Sequence, residues 1–198
     1  MTINKFIPFA TPIFTWQQNV KCYQELKDMA LQLEEENKGR NVSNAGGYQS
    51  QMMDTENINI LNFYQEIYPV VQKYIAMFEL SYLYHIKLDS LWFNVNRKCN
   101  YNHTHSHPGS DISGVYYLNV PENSGKIVFV NPDTTVRHLP FYEGPFDNYN
   151  QFNSSRFHFD LADGLLILFP SHLDHYVEMN NSEEPRLSIA FNIKTRRS

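Results

Sequence analysis

Period-two alternation dominates the second half of the chain. In "RLSIAFNIK", residues 186–194, Arg186, Ser188, Ala190 and Asn192 alternate with Leu187, Ile189, Phe191 and Ile193. Successive strand side chains point to opposite faces, so the pattern predicts a strand with one greasy and one small or polar face. Further short segments share its β-branched and aromatic content: "KLDSLWFNVN", "DISGVYYLNV", "GKIVFVNP", "RFHFDL", "GLLILFP" and "HYVEM". Turn residues bound them at Pro121 to Gly125, Asp163–Gly164 and Asn180 to Pro185. The first 80 residues have a different texture. "QQNVKCYQELKDMALQLEEENKG" places Val20, Tyr23, Leu26, Met29, Leu31 and Leu33 roughly at helical spacing and ends near Gly39. "NINILNFYQEIYPVVQKYIAMFEL" predicts a second helix, with Pro69 as a kink site. The turn-rich "NVSNAGGYQSQMM" separates the two. The opening "MTINKFIPFATPIFTW" is apolar but broken by Pro8 and Pro12, and reads as a strand entering the core rather than a signal peptide.

Short strands preceded by helices predict a mainly β fold, a sandwich or jelly roll with the helices packed on one outer face. The 198 residues suit one domain, with 1–85 as strand and helical support and 86–198 as the jelly-roll core. The greasy face of 186–194 then packs on the helices, and its polar face lines the barrel mouth. Arg186 on that face needs a partner, because an unpaired buried charge is costly. A protein carboxylate would serve. So would a ligand carboxylate, which fits the planar guanidinium fork.

Composition narrows the function classes. Fourteen Phe and 13 Tyr exclude a disordered chain. The net charge is −5 and there is no basic stripe, which argues against a nucleic-acid partner. The basic run "KTRRS" at the C-terminus reads as a solvated tail. Cys22 and Cys99 form neither a disulfide framework nor a CxxC, so a reducing, cytoplasmic setting is expected. No apolar run is long enough to span a bilayer. GxSxG, GxGxxG and GxxxxGK[ST] motifs are missing, which disfavours serine-hydrolase, dinucleotide and P-loop chemistry.

The candidate chemistry lies in "YNHTHSHPGSD", residues 101–111. Three of the chain's 8 histidines, His103, His105 and His107, fall at alternate positions there. On a strand they share a face, and two at i and i+2 can take adjacent sites on one metal ion. A third ligand must come from elsewhere, and "FPSHLDHYVEM" offers His172 and His175. Imidazole suits Zn, Fe, Cu and Ni. A polar exposed loop is the plain alternative, but it does not account for the alternation beside a distant histidine. His85 and His138 read as surface or structural residues, and His158 as a candidate for lining the pocket. Asn94 and Asn96 alternate with Phe93 and Val95, which suits hydrogen bonding to metal ligands or to the core.

Three stretches together resemble the iron(II)- and 2-oxoglutarate-dependent oxygenases. These are "SNAGGYQS", "YNHTHSHPGSDISGVYYLNVPENSG" and "DGLLILFPSHLDHYVEMNNSEEPRLSIAFN". In particular they look like a small family of such oxygenases from bacteria and their phages. The resemblance implies a double-stranded β-helix, which is a jelly roll. It implies Fe(II) as cofactor, 2-oxoglutarate as cosubstrate, and hydroxylation of an unidentified small molecule, peptide or protein. By the superfamily's pattern the distal histidine is His175 and the cosubstrate arginine is Arg186, with Ser188 and Tyr117 assisting. The near pair matches His105 and His107 best, and His103 with His105 second. The usual carboxylate of the triad is then replaced by His107. Asp111 follows closely, at a spacing that does not fit H-x-D.

The insertion from Asp133 to Ser155 carries Phe141, Tyr142, Phe146, Tyr149 and Phe152. It suits a lid over the substrate, a satellite core or the contact of a homodimer. Two rival functions stay open at this point. Cupins that act without a cosubstrate also combine H-x-H with a distal histidine, and "GLLILFPSHLDH" approaches their second motif. A non-catalytic binding module on the same fold is the other.

Overall fold

The computed structural model describes residues 10–80, 84–133, 148, 150 and 153–197. Two antiparallel sheets face each other, as in a jelly roll. β1 (Phe14–Gln17), β3 (Tyr48–Gln49), β4 (Tyr84–Asn96), β6 (Ile112–Asn119), β9 (Leu165–Pro170) and β11 (Arg186–Arg197) make a six-stranded sheet ordered β1-β9-β6-β11-β4-β3. β2 (Asn44–Ala45), β5 (Tyr101–His105), β7 (Ile127–Val130), β8 (Arg156–His158) and β10 (His175–Val177) make a five-stranded sheet ordered β2-β5-β10-β7-β8.

The helices α1 (Tyr23–Glu36) and α2 (Ile58–Ala76) cover the outer face of the larger sheet. α2 buries Ile60, Phe63, Ile67, Val71, Tyr74 and Ile75, a stripe at 3.6-residue spacing. They pack against Leu187, Ile189, Phe191 and Ile193, the greasy face expected of β11. The Asn57 side chain caps α2 by accepting from the Asn59 N–H at 3.0 Å. Pro69 does not end the helix. It lies on the exposed side, where water can serve the carbonyl that its missing N–H leaves unpaired.

A second cluster fills the space between the sheets, with Val115, Tyr117, Ile127, Phe129, Leu165, Ile167 and Phe169. β9 is buried on both faces. Leu166 and Leu168 face the helices, and Leu165, Ile167 and Phe169 face the opposite sheet. That two-sided burial explains why "LLILFP" is a continuous apolar run. On the neighbouring strand, a Cβ at Gly114 would sit 2.2 Å from the Phe191 ring, so only glycine fits under that ring.

The turn-rich segment before α2 holds two short strands that its composition did not announce. β2 joins one sheet through β5, and β3 joins the other through β4. Gly46, at φ +74°, makes the crossing between them. The strand expected at the N-terminus is β1, an edge strand paired with β9. Residues 1–9 and most of the 133–155 insertion, including its five aromatics and His138, lie outside the described residues. No described helix is long and apolar enough to cross a membrane.

Candidate active site

β5 and β10 are antiparallel neighbours, and His105 stands directly opposite His175 in their register. Directly opposed residues place their side chains on the same face. His107 lies two residues past the end of β5. Its N–H donates to the Ser171 carbonyl at 2.8 Å, which ties it to the end of β9. The three rings therefore converge, with centroids 4.3 Å apart for His105 and His175 and 5.2 Å for each with His107. One ring nitrogen from each lies within 4.8 Å of the others, close enough to hold one ion together.

The local hydrogen bonds select the nitrogens left free to face an ion. His105 Nδ1 lies 2.7 Å from the His103 carbonyl, and His175 Nδ1 lies 2.9 Å from the Leu173 carbonyl. A carbonyl only accepts, so Nδ1 carries the hydrogen in both rings and Nε2 keeps its lone pair. Burial pushes His175 down to about 3, reinforced by the nearby His105 and His107. Burial and the neighbouring His105 push His107 down to about 4. His105 is lowered by burial too, partly offset by its bond to the His103 carbonyl and by Asp174. Three neutral imidazoles in a partly buried cleft suit a borderline divalent metal, and their lone pairs are free at neutral pH.

The same cavity, of about 340 Å³, is lined by Tyr117, Arg186 and Ser188. Arg186 is 2% exposed. Its Nη1 donates to the Ser124 carbonyl and, at 3.4 Å, to the Glu178 carbonyl, whereas Nη2 is buried with no partner. Burial pulls the guanidinium below its ordinary range, and Tyr117 and Glu178 oppose the shift. Tyr117 stands opposite Ser188 in the β6–β11 register. Its phenol is pushed up by burial, with Arg186 opposing, and it donates to no described residue. A buried, half-satisfied guanidinium beside an unengaged phenol and a hydroxyl has the donors to receive a carboxylate.

Other candidates fall elsewhere. His103 sits at the cavity's rim with its ring on Tyr101, 5.1 Å between centroids, and outside the convergent trio. His172 is exposed, as is His158 on the edge strand β8, which does not line the cavity. The Asp111 carboxylate is engaged by the Thr195 N–H at 2.6 Å and hydroxyl at 3.0 Å, so it ties the start of β6 to β11. Asn94 donates to Ser188 at 3.5 Å and Asn96 to Asn102 at 3.4 Å, and neither reaches a histidine. Several cavity residues had no role in the sequence reading: Arg40, Gln49, Met52 and Trp92. Trp92 packs on His107 with centroids 5.6 Å apart. Arg40 and Gln49 flank or lie within "SNAGGYQS", whose likeness to oxygenases was the one available signal.

Residues 90–192, just over half of the chain, match the family model described as "Putative 2OG-Fe(II) oxygenase". The chain belongs to this oxygenase family. Solved structures show the same fold at low identity. A prolyl-4-hydroxylase from Pseudomonas putida superimposes with a TM-score of 0.62 at 15% identity, covering 96% of this chain and 95% of that one. The α-ketoglutarate-dependent epimerase SnoN from nogalamycin biosynthesis gives 0.63 at 15% identity, over 93% and 80%. A viral collagen prolyl hydroxylase from Paramecium bursaria Chlorella virus-1, in complex with 2-oxoglutarate, gives 0.57 at 12%, over 91% and 94%. No curated protein sequence matches the chain. The fold of this oxygenase is thus the double-stranded β-helix expected from its strand pattern. The family's cofactor is Fe(II) and its cosubstrate 2-oxoglutarate, and the histidine trio is a donor set that such an ion accepts.

Proposed function

We propose that the protein hydroxylates a substrate C–H bond, with His105, His107 and His175 holding Fe(II) and Arg186 holding 2-oxoglutarate. The observation that carries this reading is the buried Arg186 Nη2, left without a partner in the cavity that the three histidines share. A buried donor without an acceptor costs roughly 1–3 kcal/mol, and a bound carboxylate removes that cost. Bound together, iron and 2-oxoglutarate supply O₂ activation, in which one oxygen atom enters the substrate and the other leaves in succinate, with release of CO₂.

The chain's own residues orient and shield. The Nδ1 bonds of His105 and His175 to backbone carbonyls fix both rings. Arg186 pairs with the distal carboxylate, and the Ser188 and Tyr117 hydroxyls complete its hydrogen bonds. Val115, Ile127 and Phe169 keep the floor of the cavity dry. The whole chain acts as one unit in this reading, in a reducing cytoplasmic setting that suits free Cys22 and Cys99. The partner is a small-molecule or peptide substrate.

Anaerobic titration with Fe(II) and then 2-oxoglutarate tests the reading. A new charge-transfer absorption should appear only with both, and air should yield succinate. Metal binding with no spectral response to 2-oxoglutarate would leave a cupin-type centre that works without a cosubstrate.

A further inference from the structure

Gln49 is 4% exposed, lines the cavity, and its amide has no hydrogen-bond partner among the described residues. It stands opposite Asn94 in the β3–β4 register, and Asn94 stands opposite Ser188, which faces Tyr117. Gln49, Asn94, Ser188 and Tyr117 thus form one polar row across four strands, ending at β3 far from the Arg186 side. Arg40 lies just beyond that end. Its N–H donates to the Gln49 carbonyl at 2.7 Å, and its Nε donates to the Ser50 carbonyl at 3.1 Å. Its Nη2 reaches only the Met52 thioether, at 3.6 Å, and no carboxylate among the described residues pairs with it. The guanidinium is therefore held in place with most of its fork unused, on the cavity wall.

Charge sharpens the picture. Among the described lining residues there is no aspartate or glutamate, and the fixed charges are Arg40 and Arg186. This holds although the chain as a whole carries −5. A cosubstrate held at one carboxylate by Arg186 and at the other by the metal leaves Arg40 without an anion. β11, β4, β3 and the Arg40 backbone are successive neighbours at about 4.8 Å each, so the two arginine backbones are roughly 14 Å apart. Arg186 is also tied toward Ser124 and Glu178, away from β3.

We propose that Arg40 and Gln49 form the substrate's anchor, and that the substrate is a small carboxylate with an amide or hydroxyl next to its acid group. The Arg40 fork takes the carboxylate and the Gln49 amide takes the adjacent polar group. The cavity volume is shared with 2-oxoglutarate, which favours a small molecule. The inference rests on the cosubstrate reading of Arg186.

The test uses protein loaded with Zn(II), which is redox-silent, and saturated with 2-oxoglutarate. N-acetylglycine is the probe and N-acetylglycinamide its uncharged control. ¹⁵N-labelled arginine side chains report each site separately. N-acetylglycine should shift the Arg40 Nε–H resonance saturably, and the amide should bind at least about tenfold more weakly. In ligand-observed spectra, Arg40→Gln should weaken the acid at least about tenfold while 2-oxoglutarate binding stays within about twofold. Arg40→Lys, which keeps the charge and loses the fork, should fall between them. If the variants do not fold, the wild-type Arg40 resonance still decides. An unmoved Arg40 signal, equal binding of acid and amide, or displacement of 2-oxoglutarate by the probe would overturn the proposal. Failure of 2-oxoglutarate to shift Arg186 would instead overturn the active-site reading beneath it.

Discussion

Replacing Arg186 by methionine removes a buried charge and keeps much of its volume. Two effects of opposite sign follow from the structure. In the metal-free protein, Arg186 is desolvated, its Nη2 is unpaired, and its remaining bonds go to neutral carbonyls rather than to a carboxylate. Exchanging such a charge for a well-packed apolar side chain is often neutral or stabilising, by about 1–4 kcal/mol where ion pairs have been replaced. Here the gain is reduced, because the Ser124 and Glu178 carbonyls lose a donor. The urea midpoint of the apo variant should therefore hold or rise. Cosubstrate binding should move the other way. Losing a charge-assisted bidentate pair in a dry site costs roughly 2–5 kcal/mol, a weakening of about 30-fold to several thousand-fold. Metal binding should survive, since the histidines sit on β5, β10 and the loop after β5. Anaerobic titration of the Fe(II) form with 2-oxoglutarate, beside urea denaturation of the apo form, reads both effects. Unchanged cosubstrate affinity in a folded, metal-binding variant would refute the argument.

His105→Ala or His175→Ala should abolish tight Fe(II) binding, whereas His103→Ala should keep most of it; metal analysis after dialysis distinguishes them, and loss with His103 but not His107 would shift the ligand pair to 103 and 105. The apo protein should lose stability as pH falls from about 6.5 toward about 3, because buried His107 and His175 stay neutral in the fold and take up protons once unfolded. Their lowered values, about 4 and about 3, make this loss on the order of several kcal/mol, and a urea midpoint that is flat over this range would contradict their burial. Gly114→Ala should destabilise the fold by roughly 1–3 kcal/mol, since the new methyl group meets the Phe191 ring, and an unchanged thermal midpoint would show that the ring gives way freely.

The strand pattern made the β-rich architecture and the two faces of β11 legible, because burial on one side writes a period of two into the residues. Leu187, Ile189 and Phe191 could belong only to the side that meets the helices. β2 and β3 were not legible. Each is two residues long, and their pairing is set by the crossing at Gly46 rather than by any hydrophobic alternation. The histidine tract announced a candidate metal site but not which of its histidines converge. His103, His105 and His107 share a parity, and on one continuous strand all three would share a face. β5 ends at His105, and the His107 backbone is then captured by Ser171 at the end of β9. That capture is a tertiary contact across the two sheets, and no local spacing encodes it. Arg40 and Gln49 were hidden for the same reason: what they line is decided by which strand β3 pairs with.

With His107 in the place of the customary carboxylate, as proposed, the parts of the site would depend on one another differently. Three neutral imidazoles leave the full divalent charge of an ion uncompensated by protein ligands. The described lining supplies no acidic residue either, and adds the charges of Arg40 and Arg186. Compensation has to come from what enters. A dianionic cosubstrate offsets half of that positive charge, so metal and cosubstrate each strengthen the other's binding, and by linkage the coupling is equal in both directions. The charge that remains lies in the cavity that a substrate must enter to react. A neutral substrate would leave it standing in a cleft dry enough to hold three histidines unprotonated, at a Coulombic cost that a low dielectric enlarges. An anionic substrate offsets part of what is left. The ligand set and the placement of Arg40 thus ask for the same chemistry.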